Sequence, residues 1–159
     1  MKAPSAYDVH PWELVVIDNS KTIEELLSDR LQLKKPPYFI NSSKYVKRLG
    51  REKYERVSPP PLLIVVAGDP KKCYNDLPGL IASLSCCCEN ILLASHALGL
   101  GSCWLYVHDP GMPQTEKFVK EKLDIPENII VLAMLAIGYP DEIPLKKLSY
   151  ELKIRKNNW

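Results

Sequence analysis

The chain has 159 residues, 46% hydrophobic and 25% charged, an ordinary globular composition and about one domain's worth of length. A net charge of +2 excludes a strong polyanion-binding field, so no nucleic-acid partner is expected. Five cysteines, an odd number with Cys86, Cys87 and Cys88 adjacent, do not read as a secreted disulfide framework; with no signal or transit segment visible, a reducing, cytoplasmic setting is expected.

The first residues, Ala3-Pro4-Ser5-Ala6-Tyr7-Asp8-Val9-His10-Pro11-Trp12, combine two prolines, small residues and an aspartate, the make-up of a loop of defined shape. Residues 13–18 (ELVVID) predict a strand. Thr22 with Glu25 reads as a capping box, and Ile23, Leu26, Leu27 and Leu31 continue it as an amphipathic helix to about residue 33. Residues 34–38 are a proline-broken connection, and residues 42–54 predict a basic, weakly amphipathic helix that Pro59-Pro60-Pro61 brings to an end. Residues 62–67 (LLIVVA) have the pattern of a strand buried on both faces, and residues 69–74 of a loop.

The chain is organised around residues 79–105. Leu80, Ile81, Leu84, Cys87, Cys88, Ile91, Leu92 and Leu98 recur at helical spacing, small residues fill the other faces, and Glu89 is the one formal charge between positions 80 and 98. A helix apolar or small nearly all round is expected to be buried. Asp76 is the predicted N-cap, Pro78 falls in the first turn, and Gly99 is a natural stop. Glu89, Asn90 and His96 interrupt the run, so no membrane span of about 18 residues is predicted. Gly99 and Gly101 then lead into a strand over residues 103–108, where the absence of Cβ atoms lets the main chain approach a flat or bulky group.

Asp109-Pro110-Gly111 predicts a turn, residues 115–123 a short helix, and residues 129–137 another buried strand, stopped by Gly138-Tyr139-Pro140. In the tail, residues 145–159, Leu148, Tyr150, Leu152 and Ile154 alternate with polar residues, the signature of a half-buried strand that must find a sheet edge, in this subunit or in a partner. Lys146, Lys147, Lys153, Arg155 and Lys156 crowd the same segment, the charge pattern of a local anion site.

Three consecutive cysteines on a helix point about 100° apart and cannot converge on one ion, so they read as small buried hydrophobes and no metal site is expected. His96 reads as a core or interface histidine. No Ser-His-Asp order, no metal-ligand spacing and no GxGxxG after a strand is present, which suits a protein whose cofactor carries the chemistry.

Three stretches, in order, carry a family resemblance. APSAYDVHPW followed by a strand resembles the APSxxNxQPW loop of the nitroreductase-like flavoproteins. ENILLASHALGLGSCWL resembles their central helix and the strand after it, and DIPENIIVLAMLAIGYPDE resembles their late strand closing on Gly-Tyr-Pro. The resemblance implies an α+β fold: a central mixed sheet flanked by helices, a long buried central helix, and one domain over residues 1–159 whose tail, residues 145–159, is swapped onto or packed against a partner subunit.

It implies an enzyme that takes hydride from NADH or NADPH onto FMN and passes electrons to nitroaromatic, quinone or similar small-molecule acceptors. It implies a homodimer with the flavin at the subunit interface. Carried over by position, Pro4, Ser5, Ala6 and Asp8 line the flavin with His10 nearby, Leu105 and Tyr106 contact it through their main chain, and Lys146 or Lys147 binds its phosphate. No catalytic residue is assigned beyond His10 as a candidate proton donor. Asp8 stands where the family usually has Asn, His10 where it has Gln, and Tyr106 where glycine is common. An Asp accepts but does not donate a hydrogen bond, and a neighbouring His10 offsets its charge. Family members usually open with a helix and an Arg-rich segment that grips the phosphate; the sequence starts after that point, so either the start shown is not the natural one or phosphate binding leans on the tail lysines. The rival reading is a flavin- or nucleotide-binding module without turnover, and a weaker one is a thiol redox sensor.

Overall fold

The computed structural model describes residues 3–32, 59–140 and 153–157. Four strands, β1 (Trp12–Ile17), β2 (Leu62–Gly68), β3 (Gly101–Tyr106) and β4 (Ile130–Gly138), form one sheet in the order β1-β2-β4-β3. Among the described residues three helices, α1 (Ser20–Gln32), α2 (Leu77–Ala97) and α3 (Pro113–Leu123), cover it. The sequence reading expected a mixed sheet; the four described strands pair antiparallel throughout.

The two uninterrupted apolar runs take the two central places, because only there are both faces of a strand covered. On one side of the sheet Ile23 and Leu26 of α1 and Val119 of α3 pack with Leu63, Val65, Leu105 and Met134. On the other, Leu80, Leu84, Cys87 and Cys88 of α2 pack with Val66, Leu132 and Leu135. Val66 pairs with Ala133 and Ala67 with Val131, so Leu132 is an extra residue on β4. This bulge turns Leu132 and Ala133 both toward α2. The Leu132 carbonyl accepts from the Val107 and His108 amides at 2.9 and 3.1 Å and so fixes the path of the chain leaving β3.

Several expectations hold locally. The Asp76 carboxylate caps α2, accepting from Gly79 N at 3.1 Å, and Gly99 takes φ +75 after the helix ends. The predicted capping box at Thr22 and Glu25 does not: Asn19 Oδ1 accepts from both Thr22 N and Thr22 Oγ1 at 3.0 and 3.1 Å, and Glu25 pairs with Lys122 at 3.2 Å. Asn19 lies three residues before Thr22, where an N-cap oxygen reaches the third helical amide. Within the predicted loop at 69–74, Pro70–Cys73 is a 3-10 turn.

The long helix departs from the sequence reading in one respect. By length and composition Leu77–Ala97 is apolar enough to cross a membrane, and one side of it packs on the sheet. Its outer side is not buried in the chain: Leu93 and His96 are exposed, as is Leu98 at the C-cap, 77% exposed. A helix laid on a sheet is covered from one side only. His96 is therefore not a core histidine in this chain.

The predicted connection at 34–38 and basic helix at 42–54 lie outside the described residues. Most of the predicted tail strand does too; residues 153–157 have no regular structure, and Ile154, expected to point inward, is 79% exposed.

Candidate functional site

Two surfaces singled out by the sequence meet the same end of the sheet. Trp12 pairs with Gly68 and Gly68 with Ile130, while Tyr106 pairs with Ala133 as β3 runs toward that end. The loop before β1 and the end of β3 therefore share one end, yet β1 and β3 are opposite edges. Two strands lie between them, so the edges stand about 14 Å apart at the usual strand spacing.

The loop has a defined shape. Ser5 is extended, with φ −138, and Ala6–Asp8 makes a 3-10 turn. Tyr7, Asp8 and His10 all take positive φ, at 57, 55 and 48. Each such residue costs on the order of 1 kcal/mol for a side chain bearing a Cβ, so other contacts must hold it. Ser5 supplies two: its carbonyl accepts from Asp8 N at 3.2 Å and its Oγ from His10 N at 3.1 Å. The hydroxyl proton of Ser5 has no acceptor among the described residues.

The long helix supplies two more. Ala6 N donates to Ser83 Oγ at 2.8 Å, and the Tyr7 hydroxyl donates to Asp76 Oδ2 at 3.1 Å. That bond and the Asp76 charge hold the Tyr7 phenol above its ordinary pKa. Tyr7 also meets the ring of Tyr74 edge to face at 5.2 Å.

Of the predicted site residues, Pro4, Ser5, Ala6, Asp8 and His10 thus lie in one loop. His10 Nε2 sits 3.2 Å from Asp8 Oδ1, with the Asp8 side chain 92% exposed, so the pair faces solvent. The His10 and Trp12 rings lie 5.2 Å apart. At the opposite edge, Leu105 buries its side chain among the residues under α1 and α3, leaving only its main chain for any ligand, whereas Tyr106 is partly exposed. A Cβ on Gly101 would meet nothing closer than 3.6 Å, so that glycine is not demanded by packing inside the chain. Lys146 and Lys147 lie outside the described residues.

The sequence reading missed Ser83, which looked like a small filler of the helix surface, and Tyr7 and Tyr74. No local signal marks them; residues 6 and 83 come together only in the fold. It also missed a half-buried ionic cluster just beyond β3. His108 Nδ1 lies 2.7 Å from Glu116 Oε2, Lys120 Nζ lies 3.2 Å from Glu116 Oε1, and Val131 N donates to Oε1 at 3.0 Å. Burial alone would push the Glu116 carboxyl up, but the Val131 amide, His108 and Lys120 outweigh it and hold the group below the ordinary carboxylate range. Among the described residues no group of His, Cys, Asp or Glu could hold a metal ion.

The family model described as the Nitroreductase family matches residues 1–139. The chain belongs to that family. Membership places this nitroreductase-family chain among the oxidoreductase enzymes. It is 33% identical over 159 residues to a protein of Archaeoglobus fulgidus named "Putative NADH dehydrogenase/NAD(P)H nitroreductase", covering 99% of this chain and 75% of that one. Among solved structures, an FMN-dependent nitroreductase from Clostridium difficile R20291 is 28% identical and superposes with a TM-score of 0.72 over 99% of this chain and 82% of its own. A protein from Bacteroides thetaiotaomicron, bearing the same name as the archaeal one, is also 28% identical, with a TM-score of 0.74 over 100% of this nitroreductase-family chain and 79% of its own.

Proposed function

We propose that the protein is an FMN-dependent oxidoreductase that takes hydride from NADH or NADPH and passes electrons to nitroaromatic, quinone or similar small-molecule acceptors. The observation that carries this reading is the pairing of a strained, solvent-facing Pro-Ser loop at one edge of the described sheet with a Gly-led strand at the opposite edge. A bound flavin supplies hydride acceptance and electron transfer; the protein's own groups bind and orient it.

The loop's donor and acceptor set fits the ring end of that cofactor. The exposed Asp8 carboxylate would accept from a ring N–H, and the Ser5 hydroxyl proton, which has no acceptor among the described residues, would be free to donate to a ring acceptor. Pro4 and Ala6 offer small apolar surface. Across the site, Leu105 and Tyr106 present main-chain groups, and Lys146 or Lys147 carries the phosphate. His10, with Nε2 3.2 Å from Asp8 Oδ1, is the candidate proton donor to the reduced product.

Because the two edges of one sheet are about 14 Å apart, one chain does not wrap a planar ring with both, and a homodimer supplies the second surface. We extend the proposal to a single domain over residues 1–159 whose tail, 145–159, packs on the partner, covering apolar residues such as Ile154. A cytoplasmic setting agrees with five cysteines held as free thiols.

The test is reconstitution with FMN. Retained flavin with micromolar affinity, bleached anaerobically by NADH, supports the reading; no flavin retained at tens of micromolar overturns it. Light scattering checks the dimer, which a monomer at micromolar concentration contradicts.

A second reading, a flavin- or nucleotide-binding module without turnover, draws on Asp8. A full negative charge beside a ring that must gain electron density opposes electron uptake. Flavin that binds but is not reduced by NADH selects this reading, and rapid reduction excludes it.

A further inference from the structure

We propose that Ser83 and Asp76 of the long helix are positioning residues that latch the Ser5–His10 loop into the conformation that binds the flavin ring. The inference rests on the flavin reading above and assigns to the helix a task beyond filling the core.

Ser83 is 1% exposed, and both hydrogen-bonding capacities of its hydroxyl are used. It donates to the Gly79 carbonyl at 2.7 Å, a bond that Ser85 and Ser95 also make, at 2.8 Å each, to Ile81 and Ile91. Ser83 differs from them in one respect: its oxygen also accepts the Ala6 amide at 2.8 Å. About two helical turns earlier, Asp76 divides its carboxylate in the same way. Oδ1 caps Gly79 N and Oδ2 takes the Tyr7 hydroxyl.

The helix thus grips two consecutive loop residues, Ala6 and Tyr7, while the residues on either side, Ser5 and Asp8, are those proposed to meet the ring. Gly79 permits the approach: a Cβ there would collide with the Asp76 carboxylate and come within 3.1 Å of the Ala6 Cβ. The grip is needed because Tyr7, Asp8 and His10 sit in the left-handed region, which a chain of L-residues leaves readily when nothing holds it.

The experiment compares wild type, S83A, Y7F and the control S85A, which loses the same kind of helix bond without a loop partner. Amide hydrogen exchange over residues 5–10 is measured on flavin-free protein, FMN affinity by fluorescence quenching, and Tm on each. S83A is expected to speed exchange in the loop and to weaken FMN binding roughly threefold to tenfold, the loss of one buried hydrogen bond. Y7F acts in the same direction, and S85A changes neither readout. If S83A matches S85A in both, or speeds exchange with FMN affinity unchanged, the inference is overturned while the function stands. A wild type that binds no FMN overturns the functional reading itself, and this inference with it.

Discussion

His108 and Glu116 face each other at the end of β3, with Nδ1 and Oε2 2.7 Å apart and the two side chains 17% and 13% exposed. The second Glu116 oxygen takes the Val131 amide and Lys120, and Lys120 in turn reaches the Glu127 carbonyl at 3.1 Å. One carboxylate therefore ties α3 to the residue before the β4 bulge and to the segment that leaves β3. This fixes where β3 stops and hence where Tyr106 lies.

Replacing that carboxylate should be costly. Glu116→Gln keeps the shape but leaves Lys120 buried without its counter-charge, and removing one partner of a buried pair costs about 3 kcal/mol. Urea unfolding of E116Q should show that loss with an unchanged slope; a difference below about 1 kcal/mol contradicts the role given to the cluster.

The same carboxylate sets a pH dependence. Its folded pKa lies below the unfolded value near 4.3. A depressed folded pKa means that the stabilisation is fully present above the unfolded pKa and is lost as pH falls through the folded one. Wild-type stability should therefore fall as the solution is acidified below about pH 4.3, and E116Q should show a shallower fall. Equal slopes for the two proteins would assign the acid lability to other groups.

The cysteine cluster should be chemically quiet. Burial pushes the Cys87 thiol up to about 11 and the Cys88 thiol up to about 12, so both stay protonated at neutral pH. Brief treatment of the native protein with N-ethylmaleimide at pH 7.5 should leave these two unmodified by mass spectrometry, whereas urea-unfolded protein reacts at them fully. Rapid native labelling, or their oxidation by mild peroxide, would revive the thiol-sensor reading.

Gly68 holds the junction between loop, sheet and long helix. A Cβ there would lie 2.9 Å from the Pro11 carbonyl oxygen, 3.0 Å from Leu80 Cδ1 and 3.1 Å from Leu84 Cδ2. The carbonyl belongs to backbone and cannot rotate away, so Gly68→Ala should destabilise by about 1–3 kcal/mol. Thermal unfolding checks this, and an unchanged Tm would mean that the loop gives way at no cost.

The sequence by itself determined the elements whose causes are local. The two apolar runs read at 62–67 and 129–137 could only be covered on both faces, and the strands they form took the sheet centre. Asp76, Pro78 and Gly99 bounded the long helix by chemistry that acts within a turn. Motif order pointed to the loop at residues 3–12 and to a strand over residues 103–108, which the fold places at Gly101–Tyr106. Tertiary structure decided everything that depends on distant residues meeting. It set β1 and β3 at opposite edges and left one side of α2 bare. It brought Ser83 to Ala6 across 77 positions and joined His108, Glu116, Lys120 and Val131 around one carboxylate. Hydrogen bonds and ion pairs act over about 3 Å in space, whereas periodicity and spacing report only neighbours along the chain, so such meetings leave no mark in the sequence.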